Sequence, residues 1–376
     1  MDAQVAVIGT GSIGSMTLWQ LARAGVSAIG FEQFGIAHDR AAAGGESRIF
    51  RTAYLEGPEY VPLLRRAHEL WRELEAESGR ALLTLNGGLM IGDRDSEAMR
   101  NVQASIDDFG LRHEVLDHTA MASRYPQHAI DPDEIAILDL DAGVLRPEFA
   151  VAAATYRARE LAAAIRPHEQ VTAIEPAADS VLIRTDRGAY AVEQAVVTTG
   201  PWTARFAPAL ASHIRPRRLV MTWYQAEDPE LWRSEACPIF IRDNEDAHIF
   251  GIPTLDGGSV KVAPHSDDDG YLADADELDR NVEVDLVEPV NAAVARYLPG
   301  LIPEPVRVSA YMDAYTSDGH GVVGRAPGAE NVWLLGAFSG HGFKMATAFG
   351  QVASDLVRHG TTDLPIGHLD PARFGG

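Results

Sequence analysis

Three glycines near the start of the chain, Gly9, Gly11 and Gly14, stand at the spacing G-x-G-x-x-G. Each position has its own physical use. The first permits a tight turn, the second lets a pyrophosphate approach the backbone, and the third lets a helix pack closely on a strand. Ser12 and Ile13 would open the following helix, where free N–H groups and a partial positive charge suit an anion. Glu32 stands where a carboxylate can accept hydrogen bonds from both ribose hydroxyls of an adenosine, with Gln33 beside it. No Arg or Lys occurs in Phe31-Glu32-Gln33-Phe34, so a 2′-phosphate would be repelled and NADP is disfavoured. Alone, the three glycines could be an ordinary turn. With strand, helix, second strand and acid in register, they point to a bound dinucleotide.

Other residues could do chemistry beside such a cofactor. Arg40, Arg48 and Arg51 follow within GIAHDRAAAGGESRIFR. Any one of them could pair with surface acids, but clustered after a dinucleotide unit they are expected to face phosphate or a substrate carboxylate. Near the other end, Ala337-Phe338-Ser339-Gly340-His341-Gly342-Phe343-Lys344 is a second glycine-rich turn from strand to helix. Ser339 does not satisfy G-x-S-x-G, so a helix N-terminus aimed at an anionic ring edge is the better account of it. Lys261, between Val260 and Val262, interrupts an apolar run and either points to solvent or is a buried cation. Asp267, Asp268 and Asp269 lack the spacing of a calcium loop and read as a solvated turn. Neither H-E-x-x-H nor C-x-x-C occurs, so no protein-bound metal is expected.

These residues need elements to position them. Val5 to Ile8 is a buried strand, the helix after it carries Ile13, Met16, Thr17, Leu21 and Ala24 near one face, and Ala28 to Phe31 is the second strand. The stripe Tyr60, Leu63, Leu64, Ala67, Leu70, Trp71 and Leu74 marks an amphipathic core helix over 58–78. Residues 82–92 read as two strands around an Asn86-Gly87 hairpin turn. Helices are expected at 95–109, 118–124, 147–166 and 343–358. Strands are expected at 135–140, 171–174, 181–185, 189–192, 195–200 and 331–336. From residue 215 to about 309 the texture changes to short strands and polar turns, suggesting a largely antiparallel sheet. The fold class is therefore α/β (α+β), a Rossmann-like domain with an inserted substrate domain. Residues 1–85, 145–215 and 310–376 would bind the cofactor, and 86–144 and 216–309 the substrate.

Composition narrows the partners. A net charge of −22 argues against nucleic acid and anionic membrane. The single cysteine, Cys237, excludes an internal disulfide and suits a reducing compartment. No room for a signal peptide is seen before the first strand, and no apolar run approaches a membrane span, so a cytoplasmic protein, monomer or homodimer, is expected.

Two glycine turns at opposite ends, a sheet-like insert between them and basic residues after the first unit together resemble the FAD-dependent amine oxidoreductases of the sarcosine oxidase and N-methyltryptophan oxidase kind. The resemblance covers nearly the whole chain. It rests on the N-terminal fingerprint, Gly45-Glu46-Ser47-Arg48-Ile49-Phe50-Arg51, the stretch from Phe250-Gly251-Ile252-Pro253 to Lys261, and FSGHGFK ending at Lys344. It implies that Arg51 and Lys344 clamp the substrate carboxylate, that Lys261 sits near flavin N5 and activates oxygen, and that Ser47 and Arg48 line the other flavin face. His265 would lie near the opening and Phe250 at the reacting centre. Further cofactor contacts are expected at Val171, Thr199, Gly200, Trp202, Gly340, His341, Gly342 and Phe343. Two departures stand out: Tyr311 occupies the place of the family's flavin-linking cysteine, and Asp313 that of an active-site tyrosine. FAD is accordingly expected to be held without a covalent bond. The implied reaction oxidises a secondary amino acid, an N-substituted glycine or N-alkyl amino acid, to an imine that hydrolyses, with O2 reduced to H2O2. Oxidation of a primary amine, as in glycine or D-amino-acid oxidases, and a dehydrogenase passing electrons to a partner protein are the alternatives.

Overall fold

The computed structural model describes residues 1–40, 42–264 and 270–375. His265 and Asp267 to Asp269 lie outside them. The chain opens as expected, with strand β1 (Ala3–Ile8), helix α1 (Ser12–Arg23) and strand β2 (Ala28–Glu32). β1 is central in an eight-stranded sheet, flanked in parallel by β2 and by strand Ala189–Val197. Its alternating side chains go to opposite faces. Val5 and Val7 join the helix-covered core, and Ala6 and Ile8 a second core beneath the sheet. From Val5 to Ile8 both faces are dry, which is why that stretch of the strand is an unbroken apolar run.

Helix Val61–Ser78 buries the predicted stripe completely, and α1 packs on helix Ala346–His359. A Cβ added at Gly350 would lie 2.6 Å from the Met16 backbone, so only glycine allows this helix crossing.

The other large sheet has the order Arg307–Thr316, Ile214–Tyr224, Val260–Pro264, His248–Ile252, Ile239–Asp243, Gly88–Asp93, Glu134–Asp139 and His113–Leu116. Every pair is antiparallel except Ile239–Asp243 with Gly88–Asp93, so the expected texture is present. Together the sheets give the expected mixed α/β fold with a Rossmann-like half.

Three local expectations are corrected. Asn86-Gly87 does turn the chain, with Gly87 at φ +83°, but it joins two sheets instead of a hairpin. Leu83–Thr84 pairs with Gly143–Leu145, and Gly88–Asp93 pairs elsewhere. The turn is satisfied by tertiary partners, including Asn86 Nδ2 donating to the Cys237 carbonyl at 3.0 Å. The alanine-rich helix ends at Glu160, because Ala164–Pro167 is drawn into parallel pairing with β2. Helix propensity is a weak prior against such pairing. The strands expected at 189–192 and 195–200 are one strand, Ala189–Val197. It exchanges an antiparallel partner for the parallel strand Ala329–Gly336 midway along its length, and so rejoins the first sheet.

Candidate active site

A cavity of about 600 Å³ opens beyond the carboxyl ends of β1 and β2, where a doubly wound sheet places its ligands. The glycines divide their tasks as their spacing implies. Gly9 has φ +84° and a Cβ there would lie 2.9 Å from the Thr198 carbonyl; a Cβ on Gly14 would lie 1.9 Å from the Gly9 carbonyl. Gly11 has nothing within 4 Å, and that open side faces the cavity. No side chain caps α1, leaving its first-turn N–H groups for an anion. Glu32, 4 % exposed, accepts from the N–H of Thr10 at 3.1 Å and of Phe34 at 2.9 Å, with His38 Nε2 at 3.3 Å. Two carboxylate oxygens so held retain acceptor capacity toward a ribose. Ser12, Ile13 and Gln33 line this end, as do Val171, Thr199, Gly200 and Trp202. Arg40 does not: it is exposed, with its guanidinium over the Phe34 ring at 4.8 Å.

At the other end the loop 42–48 is wired through its carbonyls. Arg48 donates to the carbonyls of Ser47 at 2.6 Å, Gly44 at 2.5 Å and Ala42. Lys261, 2 % exposed, donates to those of Gly45 and Ser47, both at 3.2 Å, with Trp223 on its flank. Lys261 is thus a buried cation site, and the solvent alternative is set aside. Burial, and then Arg48, push its ammonium well below the usual lysine range. Tyr311 lies flat against the loop, so that a Cβ on Gly44 would sit 2.5 Å from its ring. Two residues on, Asp313 faces the cavity near Arg48. Burial raises its carboxyl to about 6, against the opposing pull of the Ala314 N–H, 2.8 Å from Oδ1, and of Arg48. Leu219, Met221 and Phe250 form the apolar wall nearby.

Arg51 and Lys344 do come together, but behind the cavity lining. Arg51, 4 % exposed, gives Nη2 to both oxygens of Glu56, at 2.7 and 2.6 Å. Its Nε and Nη1 are buried without a hydrogen-bond partner among the described residues. Its guanidinium lies 4.5 Å from the centre of the Tyr54 ring, and Lys344 Nζ is 3.3 Å from the Tyr54 hydroxyl. Burial, then Arg51, lower the Lys344 ammonium to about 7, with Glu56 opposing. Glu56 itself lines the cavity, with Gly340, His341, Gly342 and Phe343. Sequence reasoning missed Tyr54 and Glu56. The available signal was an acid five residues after Arg51 in a turn closed by Gly57, whose φ is +131°. Among the described residues no cluster of His, Cys, Asp and Glu could hold a metal ion.

A glycine turn on a parallel sheet, an acid at the second strand and buried basic residues in and behind the lining of one cavity define an oxidoreductase built on a dinucleotide cofactor. The chain belongs to the FAD dependent oxidoreductase family, whose model matches residues 4–356. It is 34 % identical over 373 residues to monomeric sarcosine oxidase of Streptomyces avermitilis, covering 98 % of this chain and 97 % of that protein. It is 30 % identical over 375 residues to N-methyl-L-tryptophan oxidase of Yersinia pestis, over the full length of both. In fold it matches NikD, an unusual amino acid oxidase essential for nikkomycin biosynthesis, with a TM-score of 0.87, 24 % identity and 98 % and 97 % of the two chains covered. The enzyme is therefore an FAD-dependent amine or amino-acid oxidoreductase. No helix among the described residues is long and apolar enough to cross a membrane.

Proposed function

We propose that this enzyme oxidises a secondary amino acid, an N-substituted glycine or N-alkyl amino acid, and passes the electrons to O2. The observation that carries this reading is a pair of buried cations, Arg51 and Lys344, set against one internal carboxylate beside the cavity. Such a site has charge to spare for a substrate carboxylate. Residues 1–85, 145–215 and 310–376 would form the FAD-binding part, and 86–144 and 216–309 the substrate-binding part; the first sheet falls wholly within the former. The single cysteine suits work in the cytoplasm.

FAD, when bound, supplies the hydride acceptor. The chain's residues do the rest. The Gly9–Gly14 turn and the α1 N-terminus take the pyrophosphate, and Glu32 the ribose. Arg51 and Lys344 orient the substrate through its carboxylate, which fixes the C–H bond to be broken. Asp313 Oδ1 or Oδ2 holds the substrate ammonium and accepts its proton, because an amine loses hydride only with its lone pair free. Leu219, Met221 and Phe250 keep water from that end.

Three results are expected. FAD is held without a covalent bond, since Tyr311 stands in place of a thiol and Cys237 is buried in another segment, with burial raising its thiol to about 12. Acid denaturation should release the yellow colour; colour retained on the precipitate contradicts this. Because Asp313 acts as carboxylate, kcat/KM should fall as pH drops through about 6. Asp313→Asn should abolish that limb and lower kcat/KM at pH 8 by about 10²-fold; an unchanged limb removes Asp313 from the reaction. The reading as a whole is tested by a peroxide-coupled assay of sarcosine and a graded series of N-alkyl and N-carboxyalkyl glycines. Larger N-substituents should exceed sarcosine in kcat/KM, because Asp313 replaces a bulky ring. Dye reduction by amine without peroxide formation would instead identify a dehydrogenase.

A further inference from the structure

The interior behind the cavity carries a hydrogen-bond chain whose direction can be worked out. His341 Nε2 is 3.0 Å from the Gly319 carbonyl, and a carbonyl can only accept. Burial lowers the His341 imidazole to about 4, so the ring is neutral near pH 7. A neutral ring with its proton on Nε2 has a bare Nδ1, and the Tyr54 hydroxyl lies 3.0 Å from it. The single hydroxyl proton of Tyr54 therefore goes to Nδ1, in preference to the His341 carbonyl at 3.5 Å. Tyr54 is then an acceptor toward Lys344 Nζ, 3.3 Å away, while a second Lys344 N–H meets the His341 carbonyl at 3.1 Å. An ammonium has three N–H groups, so one is left.

We propose that His341 is a positioning residue: the proton on its Nε2 sets Tyr54 as an acceptor, and this, with its own carbonyl, aims the remaining Lys344 N–H at the incoming carboxylate. The inference rests on the reading of Lys344 as a carboxylate ligand. It goes beyond the place of His341 in the cavity lining, because it assigns the imidazole a task toward Tyr54 and Lys344. Arg51 and Glu56 face Lys344 from the preceding loop. Glu59 and Tyr60 add to the field at Tyr54, and Tyr60 is itself bonded at 2.7 Å to His320, which lies beside His368. An acceptor on the ammonium favours its charged form. Removing that acceptor therefore shifts Lys344 deprotonation to lower pH, and carboxylate binding is lost earlier as pH rises.

The test uses the FAD-loaded enzyme and acetate as a minimal carboxylate. Its dissociation constant is measured by calorimetry from pH 6 to 9, beside KM and kcat for the best N-alkyl amino acid. His341→Leu and Tyr54→Phe should each weaken acetate binding at pH 8 by about tenfold, move its alkaline limb to lower pH, and raise KM more than they lower kcat. His341→Gln, which keeps an acceptor toward Tyr54 and a donor toward Gly319, should recover most of the binding and the limb. Thermal melts confirm that each variant is folded. If Lys344→Met abolishes acetate binding while Tyr54→Phe leaves the alkaline limb in place, the positioning role is overturned and the clamp survives. If Lys344→Met itself leaves acetate binding unchanged, the reading of the clamp fails, and this inference with it.

Discussion

Arg51→Ala is expected to lower kcat/KM for an N-alkyl amino acid by about 2–5 kcal/mol, some 30-fold to several thousand-fold. The guanidinium is buried, and only Nη2 is engaged, by Glu56. Nε and Nη1 have no partner among the described residues, and a buried charged donor left unmade is costly. A substrate carboxylate would meet that need. The same substitution should hardly affect an N-alkyl amine lacking the carboxylate, so the ratio of the two losses is the measurement. Equal losses on both substrates would falsify the clamp. Glu56 sharpens the comparison, because a substrate carboxylate must compete with it for Nη2. Glu56→Gln removes the rival charge and should lower KM for the amino acid, a gain that should disappear in the Arg51→Ala background, where no Nη2 is left to compete for.

Lys261→Met is expected to slow oxygen consumption at saturating amine by about 10²-fold or more, with much less effect on anaerobic bleaching by the amine. Nζ is held by two carbonyls of a loop that Arg48 also holds, so the amine is fixed in place before reaction. A cation in a buried site lowers the cost of placing electrons on oxygen, and it acts only in that half of the cycle. Burial disfavours the ammonium, whereas nearby negative charge, as from Glu46 and Glu148, favours it. Negative charge arriving in the site would therefore draw a proton to Nζ. Stopped-flow measurement of each half-reaction decides the matter: equal slowing of both removes Lys261 from the oxygen step.

The first 32 residues needed little beyond their own order. Strand and helix there are local, and Gly14 answers to the Gly9 carbonyl five residues back, although Gly9 itself answers to Thr198, far along the chain. The buried helix over 61–78 was equally legible, because a 3.6-residue period shows which face is apolar. The change of texture after residue 215 marked the antiparallel sheet for a similar reason: short strands of period two read differently from buried parallel ones. The path of the chain past Asn86-Gly87 was not legible, because a turn signal specifies a bend and not the partner of the strand that follows. The same holds for Ala164–Pro167, whose pairing with β2 spans more than a hundred residues of chain. At the candidate site, residue types pointed to Arg48, Arg51, Lys261 and Lys344 as cations, but their environments came from contacts between distant segments. Tyr311 lies against Gly44, and Lys344 against Tyr54, across more than 250 residues of chain. Which nitrogen of His341 carries the proton depends on a carbonyl at Gly319, a partner named by neither spacing nor composition. Sequence determined which groups could carry charge and how the nucleotide turn is built. Tertiary structure alone decided which charges are buried, which are already paired, and which N–H remains for a ligand, because burial and pairing are properties of neighbours that the linear order does not bring together.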